Sequence, residues 1–219
     1  MKYLLKSLLI IAICAIPAIA MAQPGTCNVK YSGTKPTITD FARAYCSQFE
    51  AGSPERQALA AFTKGNSKRC VVDIKNGYVK YTCETGGETF TLEMCYWNCD
   101  NKNHKLIGIN RVLGGSGLDE SYLEFYRYNV KSKIMNLIQE PFDREPEPID
   151  MIDRSRATKK VINDVRSAEN EDANKYQPIF SLPRTGKNIT FRMAEPTAVP
   201  KAMQRTGTLI WNGSSFNIK

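Results

Sequence analysis

The chain has 219 residues, of which 42% are hydrophobic and 24% charged, enough for one large or two small domains with a real core and unlike a disordered or fibrous composition. Lys and Arg number 30 against 22 Asp and Glu, a formal net charge of +8. The basic residues are scattered and form no stripe interleaved with aromatics, so nucleic acid is not an expected partner.

The opening MKYLLKSLLIIAICAIPAIAMAQ places Lys2 and Lys6 before an apolar run and ends in Ala20-Met21-Ala22. That order predicts a secretory signal peptide over residues 1–22, cut before Gln23. The run is short for a membrane span and is broken by Pro17, and no later stretch is long and apolar enough to cross a bilayer. Cys14 lacks the small preceding residue of a lipoprotein site, since Ile13 stands there. Loss of Lys2 and Lys6 lowers the net charge from +8 to +6. The expected localisation is exported, periplasmic or secreted.

Residues 23–36 read as a polar lead-in. Thr37 and Asp40 form a capping-box pair, and Ile38, Phe41, Ala42, Tyr45 and Phe49 recur on one helical face, predicting a helix over 37–50. Ser53 as N-cap, Pro54 at the first helical position and Gly65 as stop predict a second helix.

From Cys70 the period changes to two. Asn76-Gly77 is a two-residue hairpin signal, because both central positions of a type I′ turn need positive φ. That turn sets Ile74 against Val79, Val72 against Tyr81, and Cys70 against Cys83, a non-hydrogen-bonded pair with Cα atoms ~4.5 Å apart. Such a spacing permits a disulfide. Signal cleavage removes Cys14 and leaves Cys27, Cys46, Cys70, Cys83, Cys95 and Cys99, an even set that in an exported chain reads as disulfides. Cys70–Cys83 is the expected pair; the pairing of Cys27, Cys46, Cys95 and Cys99 stays open. A zinc site would need ligand spacings that are missing, with no CxxC pair and His104 as the only histidine.

A second turn at Gly86-Gly87 sets Leu92 against Tyr81 and Met94 against Val79, extending one apolar face through Phe90 and Tyr96. KLIGINRV (105–112) is a strand, GGSGLD a link, and residues 121–138 a hairpin turning near 129–132. Residues 139–176 shift to proline and mixed charge, a long surface excursion with one helical piece near 157–166. Short strands close the chain, with Asn212-Gly213 setting Leu209 opposite Phe216. The expected fold is α+β, a short N-terminal helical layer packed on an antiparallel β meander, one domain over 23–219.

The block DIKNGYVKY, LEMCYWN, HKLIGINR and YLEFYRYN, with the closing LIWNG, resembles exported β-rich proteins of Bacteroidetes-type bacteria. The resemblance covers roughly 70–138 and the last dozen residues. It implies a compartment and a fold style and carries over no activity; the cysteines between 70 and 99 depart from its pattern.

No cofactor or metal fingerprint occurs, and Leu118 stands where a nucleophile elbow at 114–118 would need Gly. A carboxylate pair drawn from Glu88, Glu93 and Glu124 would suit a glycosidase-type hydrolase, which needs no histidine. The more suggestive feature is aromatic: Tyr122, Tyr126 and Tyr128 share a strand face with Glu124, opposite Leu123 and Phe125, and Trp97 lies opposite Tyr96. An outward tyrosine stripe would stack on sugars or anchor a protein. The expectation is a non-enzymatic module recognising glycan or protein, including inhibition of an enzyme, with the hydrolase as alternative.

Overall fold

The computed structural model describes residues 25–115, 118–168 and 173–219. The expected signal peptide lies outside the described residues, as do Ser116 and Gly117 of the GGSG link.

Capping fixes the first two helices. Helix α1 spans Ile38–Cys46, and Thr37 donates from both its amide (2.9 Å) and its hydroxyl (2.8 Å) to the Asp40 carboxylate. It stops short of the expected end, although Phe49 still packs on Tyr45 at 5.0 Å. Helix α2 spans Pro54–Lys64, with the Ser53 hydroxyl accepting from the Arg56 amide and Gly65 leaving at φ 93°.

The strands are β1 (Thr26–Asn28), β2 (Cys70–Asp73), β3 (Tyr78–Thr85), β4 (Glu88–Asn98), β5 (His104–Gly114), β6 (Glu120–Asn129), β7 (Ile134–Ile138), β8 (Pro178–Ser181), β9 (Ile189–Met193), β10 (Gly207–Trp211) and β11 (Phe216–Ile218). All named pairings are antiparallel, in a seven-stranded sheet ordered β1-β7-β6-β5-β4-β3-β2 and a four-stranded sheet ordered β11-β10-β9-β8. The architecture is therefore β-rich α+β. The polar lead-in is tied into the fold: Cys27 pairs with Met135 and makes β1 an edge of the large sheet.

The β3–β4 register matches the Gly86-Gly87 expectation, with Tyr81 opposite Leu92 and Val79 opposite Met94. The β2–β3 register does not. Asp73 pairs with Tyr78 and Cys70 with Tyr81, leaving the four residues Ile74–Gly77 as the loop. Asp73 clasps that loop, accepting from the Asn76 amide (3.1 Å) and side chain (3.0 Å). Ile74, expected on the apolar face, is 55% exposed in the loop. The β10–β11 hairpin departs in the same way: Trp211, not Leu209, faces Phe216, and the Asn212 side chain accepts from the Ser214 and Ser215 amides. In both, a side-chain acceptor on the backbone favours a four-residue loop over the two-residue turn.

Each face of the large sheet belongs to a different buried cluster. One joins Phe41, Ala42 and Tyr45 of α1 and Ala58 and Phe62 of α2 with Val79, Leu92, Met94, Ile107, Ile109 and Tyr126. The other joins Tyr78, Cys95, Trp97, Leu106 and Phe125 with Ile189, Phe191, Leu209, Trp211 and Phe216 of the second sheet. Gly108 permits this second contact: a Cβ there would lie 2.8 Å from the Trp97 ring. The segment 139–176 is only partly a surface excursion. A 3-10 turn at Pro148–Met151 buries Ile149 and Met151, and helix α3 (Lys159–Arg166) buries Val165, all in the second cluster. Among the described residues, no helix is long and apolar enough to cross a membrane.

Candidate functional site

Strand alternation places the expected aromatic stripe, but neighbouring layers cover most of it. Tyr126 and Tyr128 are fully buried beneath α1, where Tyr45 stacks edge-on to Tyr126 at 5.8 Å and Phe41 to Tyr128 at 5.0 Å. Trp97 is buried on the other face, 5.1 Å from Phe216 and 6.0 Å from Trp211, and its indole donates to the Lys187 carbonyl. Tyr122 alone reaches solvent, at 40% exposure. The four residues thus form no outward stripe, because Leu123 and Phe125 and the tyrosines opposite them both face packed layers.

The carboxylates separate as well. Glu93 faces the second sheet: it accepts from the Tyr78 hydroxyl (2.8 Å) and the Leu182 amide (3.1 Å), and pairs with Lys80 at 3.4 Å. Glu124 faces the helices, where it pairs with Arg111 and accepts from the Tyr45 (3.3 Å) and Tyr126 (3.4 Å) hydroxyls. Burial pushes the Glu124 carboxyl above its ordinary value, against the pull of Arg111. Glu55 of α2 approaches the same guanidinium at 3.7 Å. Glu88 is exposed at the β3–β4 turn. Glu93 and Glu124 therefore act as buried ties on opposite faces, and a sheet lies between them.

Among the described residues, no two cysteines lie at disulfide distance. Cys70 and Cys83, the expected pair, are not directly opposed, because the four-residue loop shifts Cys70 opposite Tyr81 and leaves the two side chains diagonal on one face. Burial raises each thiol, Cys27 to about 11, so none is poised as a thiolate nucleophile.

What remains open is one end of the large sheet. The β4–β5 turn and its flanks, Asn98, Cys99, Asp100, Lys102, His104 and Lys105, line an open depression of about 500 Å³. Register builds it: Asn98 pairs with Lys105, so their side chains share the face covered farther along by α1. Lys105 donates to the Asn98 side chain and lies 4.6 Å over the Tyr96 ring. Tyr96 is itself seated on Gly77, where a Cβ would approach the ring to 2.6 Å. Burial first, and then nearby Lys35, pull the Lys105 ammonium below its ordinary value. His104 is partly buried, its Nε2 3.3 Å from the Asn129 side-chain nitrogen. The Asp100 amide donates to the Gly213 carbonyl, tying the rim to the β10–β11 turn. The depression was not among the sites expected from sequence; the polar run NCDNKNHK between two strands was the available signal.

Among the described residues, no group of His, Cys, Asp and Glu could hold a metal ion. No family model, curated protein or solved structure matches the chain.

Proposed function

We propose that the protein is an exported, non-enzymatic binding module that meets a glycan or protein at the β4–β5 end of its large sheet. The depression there carries the reading. It is concave, lined by polar side chains capable of directional hydrogen bonds, and flanked by Tyr96 on a rigid strand, the combination expected of a recognition site. In this reading the N-terminal helices are the layer over the meander, and their shared buried cluster supports that role. Both sheet faces are then scaffold, and recognition moves from the aromatic face to the sheet's end. The export expectation rests on the leader-like residues 1–22 and on the resemblance to exported β-rich proteins.

The test is ligand capture with a footprint. Glycan and protein arrays probed with the folded protein should yield a ligand that shields Lys102 and Lys105 from amine-reactive labelling. A ligand that leaves both lysines fully reactive, and shields Tyr122 instead, would move the site elsewhere.

A further inference from the structure

We infer that the depression at the β4–β5 turn is an oxyanion site, taking a sulfate, phosphate or carboxylate group through Lys102 and Lys105. The inference rests on the reading of this depression as the recognition surface and adds the chemistry of the ligand.

The argument starts from uncompensated charge. Lys102 and Lys105 line the depression, and Lys35, from the loop before α1, lies close enough to act electrostatically on Lys105. Arg127 adds positive potential beside Cys99, which also lines the depression. Among the described residues, no carboxylate lies within 4 Å of Lys35, Lys102 or Lys105. The acid of the lining, Asp100, therefore leaves the local balance positive.

Lys105 is held rather than solvated. A free lysine at a strand end would swing into water, where its ammonium is best hydrated. Here the ammonium lies 4.6 Å over the Tyr96 ring and the Asn98 carboxamide accepts from it, while Lys35 adds like charge. Holding a partly desolvated ammonium near a like charge is unfavourable by itself. An anion in the depression removes both penalties, and the restrained side chain loses little further freedom when it binds. An ammonium has three donors and Asn98 takes one, so donors remain for an oxyanion. A cationic or wholly apolar ligand would gain from none of these features.

The site takes either a free inorganic anion or the same group on a sugar, and the arms of the experiment separate them. NMR of the folded, 15N-labelled protein is followed while sodium sulfate replaces sodium chloride at constant ionic strength. A second arm uses a sulfated disaccharide and its unsulfated parent. The expected result is saturable shifts at Asn98, Lys102, His104 and Lys105. Lys105→Met, which keeps the side chain's length and removes its charge, should weaken sulfate about tenfold. Lys35→Ala, in an exposed loop, should weaken it less and leave the thermal melt unchanged. Tighter binding of the sulfated disaccharide than of sulfate assigns the sugar-borne group; equal affinities assign the free anion. Shifts that never saturate, or that saturate with unchanged affinity in Lys105→Met, overturn the inference. Equal binding of both disaccharides at the depression, with no sulfate site, overturns the anion chemistry while leaving the binding module intact. A saturable sulfate site at which no array ligand ever shields the lysines does the reverse.

Discussion

Replacing Arg111 by Met should destabilise the protein more than any surface change, and acid should reverse the loss. Arg111 is fully buried and stands between two carboxylates, Glu124 on β6 and Glu55 on α2. Met matches the length of the stem and removes the charge, so two buried carboxylates would face each other without a counter-ion. Breaking a buried pair in this way costs ~3–5 kcal/mol. At ~2–4 °C per kcal/mol for a chain of this size, the melting temperature should fall by about 10–15 °C. The loss has a defined pH dependence. In the variant the Glu124 carboxyl, already raised by burial, loses the opposing pull of Arg111 and rises further, so the penalty is full at neutral pH and fades as falling pH protonates it. Urea melts followed by circular dichroism between pH 4 and 8 measure both quantities. A deficit below about 1 kcal/mol, or one that grows in acid, would refute the reasoning. A triple variant with apolar residues at positions 55, 111 and 124 should recover most of the stability, since a well-packed apolar cluster matches a buried ion cluster.

Three further outcomes follow from the geometry. Glu124→Gln should flatten the pH dependence of stability: the wild-type carboxyl is raised in the fold, so the wild type loses stability as pH rises from the unfolded carboxylate value through the folded one, and the amide does not. Gly77→Ala should cost more than ~1 kcal/mol, because φ is 67° and the Tyr96 ring lies where the methyl must go, and it should also lower the affinity of any ligand at the depression. Alkylation of the native protein should reach Cys99 before the fully enclosed Cys46 and Cys95, and a non-reduced intact mass should correspond to free thiols.

Much of the scaffold was legible because its signals are local. Thr37 with Asp40, Ser53 with Pro54, and Gly65 mark helix ends by satisfying or releasing backbone groups within a few residues. The Gly86-Gly87 turn fixes the β3–β4 register unaided. Coverage was not legible, because it depends on residues far apart in the chain. Along β6 both faces carry large apolar or aromatic groups, and alternation alone cannot say which face, or whether both, will be packed. The covering side chains, Phe41 and Tyr45 on one side and Trp211 and Phe216 on the other, come from opposite ends of the sequence. The depression was hidden for the same reason: it needs the β4–β5 register to bring Asn98 beside Lys105, and a distant loop to bring Lys35 near.

The β2–β3 hairpin shows why one misread turn left the core reading intact and yet removed the disulfide. The observed register differs from the Asn-Gly expectation by two residues, and an even shift keeps every side chain on its face. Cys70, Val79, Tyr81 and Cys83 therefore still join the helix-side cluster. A disulfide depends on the opposite partner rather than on the face, so the same shift separates Cys70 from Cys83. The clasp is Asp73, whose carboxyl is lowered to about 2 by the Asn76 side chain and then by Arg184. Because β2 is an edge strand with a single strand neighbour, removing the clasp should let it slip toward the two-residue turn, where the thiols are directly opposed. Asp73→Ala incubated with oxidised glutathione should accumulate a Cys70–Cys83 bridge, the two thiols passing two electrons and two protons to the glutathione disulfide. The wild type under the same conditions should form it several-fold more slowly. Peptide mapping without reduction reads the bridge, and equal rates in both proteins would mean that Asp73 does not set the register.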